Sequence, residues 1–518
     1  MPEITQPPLQ PLLWAPVFKL LERHMPYEPS KNGSIYLLDR AIACLGAIGF
    51  LLTLWWTHGS ARRLFDESVA AVTVAALIVC VPLWKLAVSG SPVALLVLLF
   101  ALMIRVFVSA QIRHEEGIKV HFQLLFLGLL SALMLLTHWL AIWLILGLIA
   151  AVYLAFPAKR GSVIWVAVIP FLTVFIWGGW LVQQSGDPLG GAKTLFQSHL
   201  LALNPSLPQR NFSIVTQSVS VDDLLRKMGW NWANQFGDGV AYLGHSVPAL
   251  AFFVALLHPF RRSAVMKTVY GLGCMFFTVA VGMGMIGLEE KTMDENALYL
   301  VLVPAMAIFG SAMLAVLWSR LQVSGGYFWQ RYGFAVIAVG LSAVPMLATL
   351  PADLKMGLTL RNRLYPHWPP YVPDRVAVVN KLLDENEMLF SDAPWFVAWY
   401  ADVATAWIPT KRADFTAMQE AAHKHGVHVA GLIVTPLSSK ITYLHEAFSG
   451  PYSEWPDLVF RGPMLALDRD FQPRPDFPYK IALPLVAIPV GVSESLSMQM
   501  TFYTDKMRTI KNRTPTPQ

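Results

Sequence analysis

Long, nearly uncharged apolar runs recur along the sequence, and they constrain the fold more than any other feature. A helix that crosses a membrane needs roughly 20 predominantly apolar residues. Charged residues make up only 14% of the 518 residues, and the mean hydropathy is +0.49. Soluble domains carry about 25% charged residues, so the composition excludes an ordinary soluble protein and also a disordered one. The 18 tryptophans and 15 tyrosines suit a chain with many membrane–water interfaces.

About ten segments are predicted to span the membrane. They are residues 37–56, 69–86, 92–108, 121–136, 141–156, 162–182, 239–257, 265–286, 297–318 and 332–350. The fourth and fifth segments meet around Thr137 and His138 and are short, so we expect one of them to be tilted or partly re-entrant.

Basic residues are concentrated in alternate loops. One set of loops contains Arg62, Arg63, Arg113, Lys119, Lys159, Arg160, Arg261, Arg262, Lys267, Arg320 and Arg331. Because cytoplasmic loops are enriched in Lys and Arg, this set is predicted to be cytoplasmic. The net charge of +6 is then explained by loop charge, and no dense basic patch with interleaved aromatic residues predicts nucleic-acid binding. Ten spans would place both termini outside.

The chain is predicted to contain five regions. Residues 1–36 form an extracytoplasmic N-terminal segment, and 37–350 form a transmembrane domain with a large outer loop at 183–238. A proline-rich linker at 351–373 leads to an extracytoplasmic α/β domain at 374–507 and a disordered tail at 508–518. The fold class is therefore a polytopic α-helical membrane protein with a C-terminal α/β domain.

Helix and strand patterns alternate in the C-terminal domain. Helices are predicted at 374–385, 394–400 and 413–425, and strands at 388–391, 404–408, 427–434 and 483–490. The run at 427–434 is almost continuously apolar, which is typical of a strand buried on both faces. The domain contains no G-x-G-x-x-G motif and no P-loop, so the usual modes of nucleotide binding are not expected.

Two residues at the predicted outer surface could contact a phosphate. Lys85 could hold a lipid phosphate as a point charge, or it could simply extend its ammonium group to the interface. His138 could donate a hydrogen bond to phosphate or bind as a ligand, although a lone histidine is more often structural.

Asp187 and Tyr299 are the other candidates. Asp187 could act as a metal ligand or a general base, but aspartate also suits a turn such as Gly186–Asp187–Pro188. Tyr299 begins an outer helix end and could bind substrate or serve as an interfacial anchor. Asp222 and Asp223 could bind a divalent cation, whereas Ser220 before them favours a helix cap.

Six short segments, taken in chain order, resemble the GT-C superfamily of integral membrane glycosyltransferases, which includes protein O-mannosyltransferases and aminoarabinose transferases. The segments are PPLQPLLWA at 7–15, DRAIA at 39–43, RRLF at 62–65, LGLLSALMLLTH at 127–138, ENALYLVLVPA at 295–305 and SDAP at 391–394. In this superfamily the first lies in an outer loop, the third in a cytoplasmic turn and the last near the start of the outer soluble domain.

The resemblance implies transfer of a sugar from a polyprenyl-phosphate donor to a glycan, lipid or protein acceptor at the outer membrane face. It implies that Lys85, His138 and Tyr299 contact substrate, that Asp187 is an acidic partner, and that a divalent cation or a basic side chain stabilises the departing phosphate. The family's catalytic carboxylate follows a first helix upstream of the segment at 7–15. We therefore expect a further upstream helix, which would give about eleven spans.

Two other functions stay open. The chain could be a non-catalytic GT-C-like subunit or scaffold that presents the outer domain to a partner. A lipid flippase or transporter is disfavoured, because the predicted spans contain few ionisable residues. The resemblance to bacterial members implies a bacterial inner membrane with the C-terminal domain in the periplasm.

Overall fold

The structure is a computed structural model that describes residues 6–24, 37–157, 160–190, 220–287, 296–321, 326–360, 376–435, 453–455, 479, 481–485 and 500–508. The chain divides into two compact units. The helical unit contains the described residues up to Leu354, and the sheet unit contains those from Lys355 onward.

Fourteen α-helices are described up to Leu360. They are α1 Leu9–His24, α2 Leu37–Leu64, α3 Glu67–Ile78, α4 Val81–Val88, α5 Pro92–Glu115, α6 His121–Thr137, α7 Ala141–Ala155, α8 Arg160–Ser185, α9 Val221–Gly237, α10 Gly239–Tyr242, α11 Val247–Leu256, α12 Ser263–Ile286, α13 Leu298–Arg320 and α14 Tyr327–Leu360.

Six of these helices are long and apolar enough to cross a membrane, namely α2, α5, α8, α12, α13 and α14. The pair α3 and α4 qualifies as a seventh span only if taken together, since it bends by 65° at its break. The chain is a multi-pass membrane protein. The predicted count of about ten is not confirmed, because the segments at 121–136, 141–156 and 239–257 correspond to helices of 17 residues or fewer. The last of these segments is divided by a turn at Gly244 and His245, both of which have positive φ.

Contacts between distant helix ends define two ends of the helical unit. At the basic end, Arg105 Nη1 donates to the carbonyl oxygen of Gly59 at 2.6 Å. The Arg262 Nη1 atom donates to the carbonyl oxygen of Arg63 at 2.9 Å. These contacts join the loops that the charge pattern assigned to one side.

Two further contacts define the other end of the helical unit, which we call the opposite end. Gln10 Nε2 on α1 donates to the carbonyl oxygen of Gly90, which links the N-terminal helix to the α4–α5 turn at 2.8 Å. The Cys80 thiol at the α3–α4 bend donates to the carbonyl oxygen of Gly244 at 3.2 Å. These contacts bring the start of α1, the α4–α5 turn, the α3–α4 bend and the turn before α11 to one end of the unit.

Helix α13 lies in the core of the helical unit, and 78% of the residues in its most apolar stretch are buried. It packs closely on α11 because position 310 is glycine. A Cβ atom there would lie 1.6 Å from the carbonyl oxygen of Pro248, which no larger residue could tolerate without moving the helices apart.

The sheet unit contains five described strands, β1 Glu387–Ser391, β2 Thr405–Trp407, β3 His428–Val434, β4 Ile481–Pro484 and β5 Thr501–Thr504. Their order is β2-β1-β3-β5-β4. Strands β2 and β3 run parallel to β1, whereas β5 is antiparallel to β3 and to β4. Helices α15 Pro394–Ala401 and α16 Arg412–Lys424 connect the parallel strands.

Strand β3 is buried on both faces, as its continuous apolar run predicts. Ala430 and Ile433 belong to an apolar cluster with Phe396 of α15. Leu432 belongs to a second cluster with Phe415 of α16. The two connecting helices therefore supply different apolar clusters.

Three details of this unit differ from prediction. The helix predicted at 374–385 is mainly a short 3₁₀ turn at Val378–Leu382, and β5 was not predicted. Arg508, assigned to the disordered tail, has a side chain only 2% exposed that binds Glu387 and Asp505. Residues 509–518 of the predicted tail lie outside the described residues.

Candidate functional site

Helix α9 lies across the opposite end of the helical unit and is held there by its polar face. Ser220 caps its first turn, since the Ser220 Oγ atom accepts from the Asp223 N–H at 3.1 Å. Asp222 pairs with Arg226 one turn later at 2.7 Å. The structure thus contains the cap that the sequence favoured, with Ser220 as the capping residue and Asp222 and Asp223 in the first turn of α9.

Asn231 of α9 caps the C-terminus of α12. Its Nδ2 atom donates to the carbonyl oxygens of Gly284 at 2.9 Å and Gly287 at 2.8 Å. The last four carbonyl groups of a helix have no partner within the helix, so a buried helix end needs donors of this kind. Asn231 is 1% exposed, and its Oδ1 atom has no hydrogen-bond partner among the described residues.

Two tryptophans approach the same turns of α12 where glycines leave room. Trp232 Nε1 donates to the carbonyl oxygen of Ala280 at 2.7 Å. A Cβ atom on Gly284 would lie 2.4 Å from the Trp232 ring, and one on Gly282 would lie 2.4 Å from the Trp143 ring. The glycines in this stretch therefore let α7 and α9 pack directly on the α12 backbone.

Gln235, one turn beyond Asn231, extends the network to α13. Its Nε2 atom lies 3.0 Å from both the carbonyl oxygen of Met283 and the Oδ1 atom of Asn296. Tyr299 donates its hydroxyl proton to the Oε1 atom of Gln235 at 2.8 Å. We call Asn231, Gln235, Asn296 and Tyr299 the amide cluster; its members are 1–6% exposed and carry no charge.

Helix α9 also exposes several large apolar side chains. Val221, Leu225, Trp230 and Phe236 are 58–74% exposed. A helix that buries amides and exposes apolar side chains fits the boundary between headgroups and hydrocarbon better than it fits water.

Lys85 lies in the last turn of α4 and is exposed. The bend between α3 and α4 lies beside Gly244. The helix that carries Lys85 therefore starts next to the turn that leads into α11. A lysine in the last turn also faces the negative end of the helix dipole. Its exposure and its position at the opposite end are compatible with the predicted phosphate contact.

His138 ends α6 and is half-buried. Its Nδ1 atom accepts the Leu140 N–H at 3.1 Å, which shapes the short turn into α7. A neutral histidine that accepts at Nδ1 carries its proton on Nε2, the form that donates a hydrogen bond. The histidine therefore has a structural role in the turn.

Asp187 forms the turn that follows α8. Its Oδ1 atom accepts the Leu189 N–H at 2.9 Å, as in an Asx turn. Of the four predicted site residues, Tyr299 is in the amide cluster, and Lys85, His138 and Asp187 belong to three other helix ends on the same end of the unit. Whether they act on a substrate stays a prediction.

Sequence reasoning did not find Asn231 and Gln235. The available signal was their spacing of four residues. In a helix within the predicted outer loop, this spacing places both amides on one face. Asn296 follows a charged stretch at 289–295, which gave no signal of its buried contact.

Within the described residues, no group of three or more His, Cys, Asp or Glu side chains could hold a metal ion. Some residues that could bind a cation or carry chemistry lie outside the described residues. They are Ser198, His199, Glu289, Glu290, Asp294 and Glu295.

The sequence matches no protein-family model and no curated protein. The fold is similar to archaeal oligosaccharyltransferase AglB from Archaeoglobus fulgidus in complex with an inhibitory peptide and a dolichol-phosphate, at 11% identity and a TM-score of 0.49. That match covers 87% of this chain and 64% of AglB. A second structure of the same oligosaccharyltransferase is a complex with Zn and sulfate, with a TM-score of 0.45 and 11% identity, covering 87% of this chain and 62% of that one.

ArnT from Cupriavidus metallidurans bound to undecaprenyl phosphate is similar at 15% identity and a TM-score of 0.45, covering 86% of this chain and 84% of ArnT. These neighbours are GT-C proteins, the superfamily that the sequence resemblance indicates.

Proposed function

We propose that the protein is a membrane glycosyltransferase that moves a sugar from a polyprenyl-phosphate donor to an acceptor hydroxyl. The bond between the anomeric carbon and the phosphate oxygen breaks, and polyprenyl phosphate leaves with the electron pair. A new bond forms from the acceptor oxygen to the anomeric carbon, and the acceptor proton passes to a base.

The observation that carries the proposal is the agreement between the order of the GT-C-like segments and the ends on which they lie. The segment at 7–15 contains Gln10, which binds the opposite end, and the segment at 295–305 begins α13 at that end. The segment at 62–65 lies at the basic end, where Arg262 binds Arg63. These placements correspond to the outer and cytoplasmic positions that the resemblance implies.

In this proposal the opposite end is extracytoplasmic and faces the periplasm of a bacterial inner membrane. Lys85 and the Nε2–H of His138 bind the phosphate, where a positive charge and a hydrogen-bond donor stabilise the leaving group. Tyr299 binds substrate, and Asp187 is the acidic partner for the acceptor or for a divalent cation. The sheet unit is periplasmic and the acceptor is a glycan, lipid or protein.

Lipid binding is tested with the full chain in nanodiscs and undecaprenyl phosphate as the probe, measured by native mass spectrometry. Lys85→Ala is expected to weaken binding about fivefold, since one lysine near a lipid phosphate contributes about 1 kcal/mol. Lys119→Ala is the matched control, because Lys119 is also exposed but lies at the basic end. Equal affinities for the two variants would overturn the role of Lys85.

Transfer is tested with undecaprenyl phosphate-linked radiolabelled hexose and native membrane extract as the source of acceptor. The proposal expects release of undecaprenyl phosphate together with incorporation of label. Undecaprenyl phosphate binding without any release of sugar would instead favour the non-catalytic scaffold, and movement of intact donor across the bilayer would favour a flippase.

A further inference from the structure

The parallel strands of the sheet unit end at one edge, and their order creates a switch point there. After β1 the chain forms β2 on one side of it and later returns to form β3 on the other side. In open sheets of parallel strands, ligands bind outside the carboxyl ends at the place where the strand order reverses. A ligand of this sheet is therefore expected at the edge that follows Ser391 and Val434.

A buried carboxylate bridges the two strands at this place. Asp392 follows β1 directly and is 3% exposed. Its Oδ2 atom accepts from the N–H of Thr435 at 2.9 Å and from the Thr435 hydroxyl at 2.8 Å. The Ser391 hydroxyl donates to Oδ1 at 3.3 Å. Ser391 and Thr435 are 0% exposed, so these buried bonds fix the ends of β1 and β3 in place.

Two tryptophans lie beside these residues. Trp395, at the start of α15, is 52% exposed although it is among the largest apolar side chains. Its ring centroid lies 5.1 Å from that of Trp407, at an interplanar angle of 63°. Trp407 ends β2 and pairs in register with Ser391, which places the tryptophans next to the polar residues. We call Ser391, Asp392, Trp395, Trp407 and Thr435 the switch-point edge.

A partly exposed aromatic pair with exposed charged residues nearby suits a saccharide better than a lipid surface. The C–H groups of a pyranose face are weakly positive and pack against the negative face of an indole ring, while its hydroxyls require polar partners. Asp402 is exposed at the end of the same short helix as Trp395, and Lys411 is exposed shortly after β2. Charged residues on both flanks would be costly to bury among acyl chains.

We propose that the switch-point edge is a saccharide-binding site in which a pyranose ring stacks on Trp395, with Trp407 as the second aromatic surface and the buried bonds of Asp392 holding the edge rigid. Asp392 is a positioning residue, since it holds β1 and β3 together. The proposed binding of a saccharide does not require that the protein is a transferase. Only the identification of this saccharide as the acceptor rests on the proposed transferase function.

The test uses the full chain in nanodiscs and three probes, cellotetraose, chitotetraose and mannotetraose, in saturation-transfer difference NMR. At least one probe is expected to receive saturation on the C–H protons of one ring face. Trp395→Ala should reduce that saturation at least fivefold, and Trp395→Phe should retain about half, because the aromatic face persists. Trp329→Ala is the matched control, since Trp329 is 49% exposed but lies on α14.

No saturation of any probe by the wild-type chain would overturn the proposal. Equal saturation by the wild type and by Trp395→Ala would also overturn it. A spin label at Trp395→Cys, in a Cys44→Ser background, reports the alternative: greater accessibility to oxygen than to a nickel chelate would show that this residue faces lipid. Saccharide binding without transfer would refute the transferase alone, whereas transfer without Trp395-dependent binding would refute this site alone.

Discussion

The two units hold their buried polar groups in different chemical forms. In the helical unit the amide cluster is neutral, and its amides bind carbonyl oxygens at the end of α12. In the sheet unit the guanidinium group of Arg508 binds the carboxylates of Glu387 and Asp505, with a 3.0 Å bond from Nη2 to Glu387 Oε1. The same need, satisfaction of buried polar atoms, is met by amides in the first of these clusters and by ions in the second.

The difference follows from the medium around each unit. A charge near lipid has no water to solvate it, so a helix end at the membrane is more cheaply satisfied by neutral donors. The sheet unit has only short strands, and ion pairs with additional hydrogen bonds can hold its C-terminal strand in place. The comparison predicts that charge removal and acid will affect the sheet unit, whereas amide removal will affect the helical unit.

The largest expected effect is that of Arg508→Leu. The side chains of Arg508 and Glu387 are 2% and 5% exposed, so removing one partner leaves a buried charge. Breaking a buried pair in this way costs about 3–5 kcal/mol of unfolding free energy. Hydrogen exchange of the full chain should show faster exchange in β1 and β5 and unchanged exchange in α12.

Arg226→Leu is the matched control for that experiment. Arg226 also pairs with a carboxylate, but its side chain is 77% exposed, and exposed pairs contribute little. Equal effects of the two substitutions would show that the burial of Arg508 is not what matters.

Acid is expected to have the next largest effect, again in the sheet unit. Burial raises the pKa of Asp505, but hydrogen bonds from Arg508 and His428 outweigh it and bring the pKa from 3.8 to about 2. A carboxyl whose folded pKa is lowered stabilises the fold above its unfolded pKa, and that contribution disappears as the pH falls through the folded value. The loss, about 2 kcal/mol, should therefore occur between pH 4 and pH 2.

The measurement is hydrogen exchange of β5 as a function of pH, corrected for intrinsic exchange. The pKa of Glu387 is also lowered, because hydrogen bonds from Arg508 and from the Asp384 N–H outweigh the effect of its burial. Asp505→Asn should remove part of the dependence. A pH-independent stability of β5 in the wild type would contradict the ionic description.

Apolar patterning predicted the helical unit well where a helix continues through a whole run, and less well where a local break divides one. The run at 69–86 was predicted as one span, yet it bends at Val79 and Cys80, with Pro82 at the start of α4. Pro82 favours a break here, and the bend also brings Cys80 against Gly244, 164 residues away. Such a contact leaves no periodic signal in the local sequence.

The parallel strands were predicted because each is a compact apolar run, whereas β5 was not. Strand β5 has four residues, and its position depends on pairing with β3 and β4, which are distant in sequence. Arg508 was missed for the same reason, since the composition of its neighbours resembles a solvated tail. In the candidate site, sequence placed Lys85, His138, Asp187 and Tyr299 at one end but not the amides that bind Tyr299.

Gln235→Leu tests the amide side of the comparison. The substitution removes the donor to Met283 and Asn296 and the acceptor for Tyr299, so several buried groups lose partners. The expected loss is about 1–2 kcal/mol in the local stability of α9 and the last turn of α12, measured by hydrogen exchange. Gln184→Leu is the control, since Gln184 is exposed at the end of α8. Faster exchange in β5 would contradict the separation of the two units.

The smallest effect is expected for Tyr299→Phe, and it separates structure from function at the one predicted site residue that lies in the amide cluster. The substitution removes a single hydroxyl whose proton goes to Gln235, so the stability of α13 should fall by only about 0.6 kcal/mol. If Tyr299 serves only to hold α9 on α13, sugar transfer will fall no more than it does in Gln235→Leu, which breaks the same bond. If Tyr299 binds substrate, transfer will fall at least tenfold in Tyr299→Phe while hydrogen exchange of α9 stays near the wild-type rate. Because Gln235 is common to both variants, the ratio of activity loss to stability loss decides between the two roles.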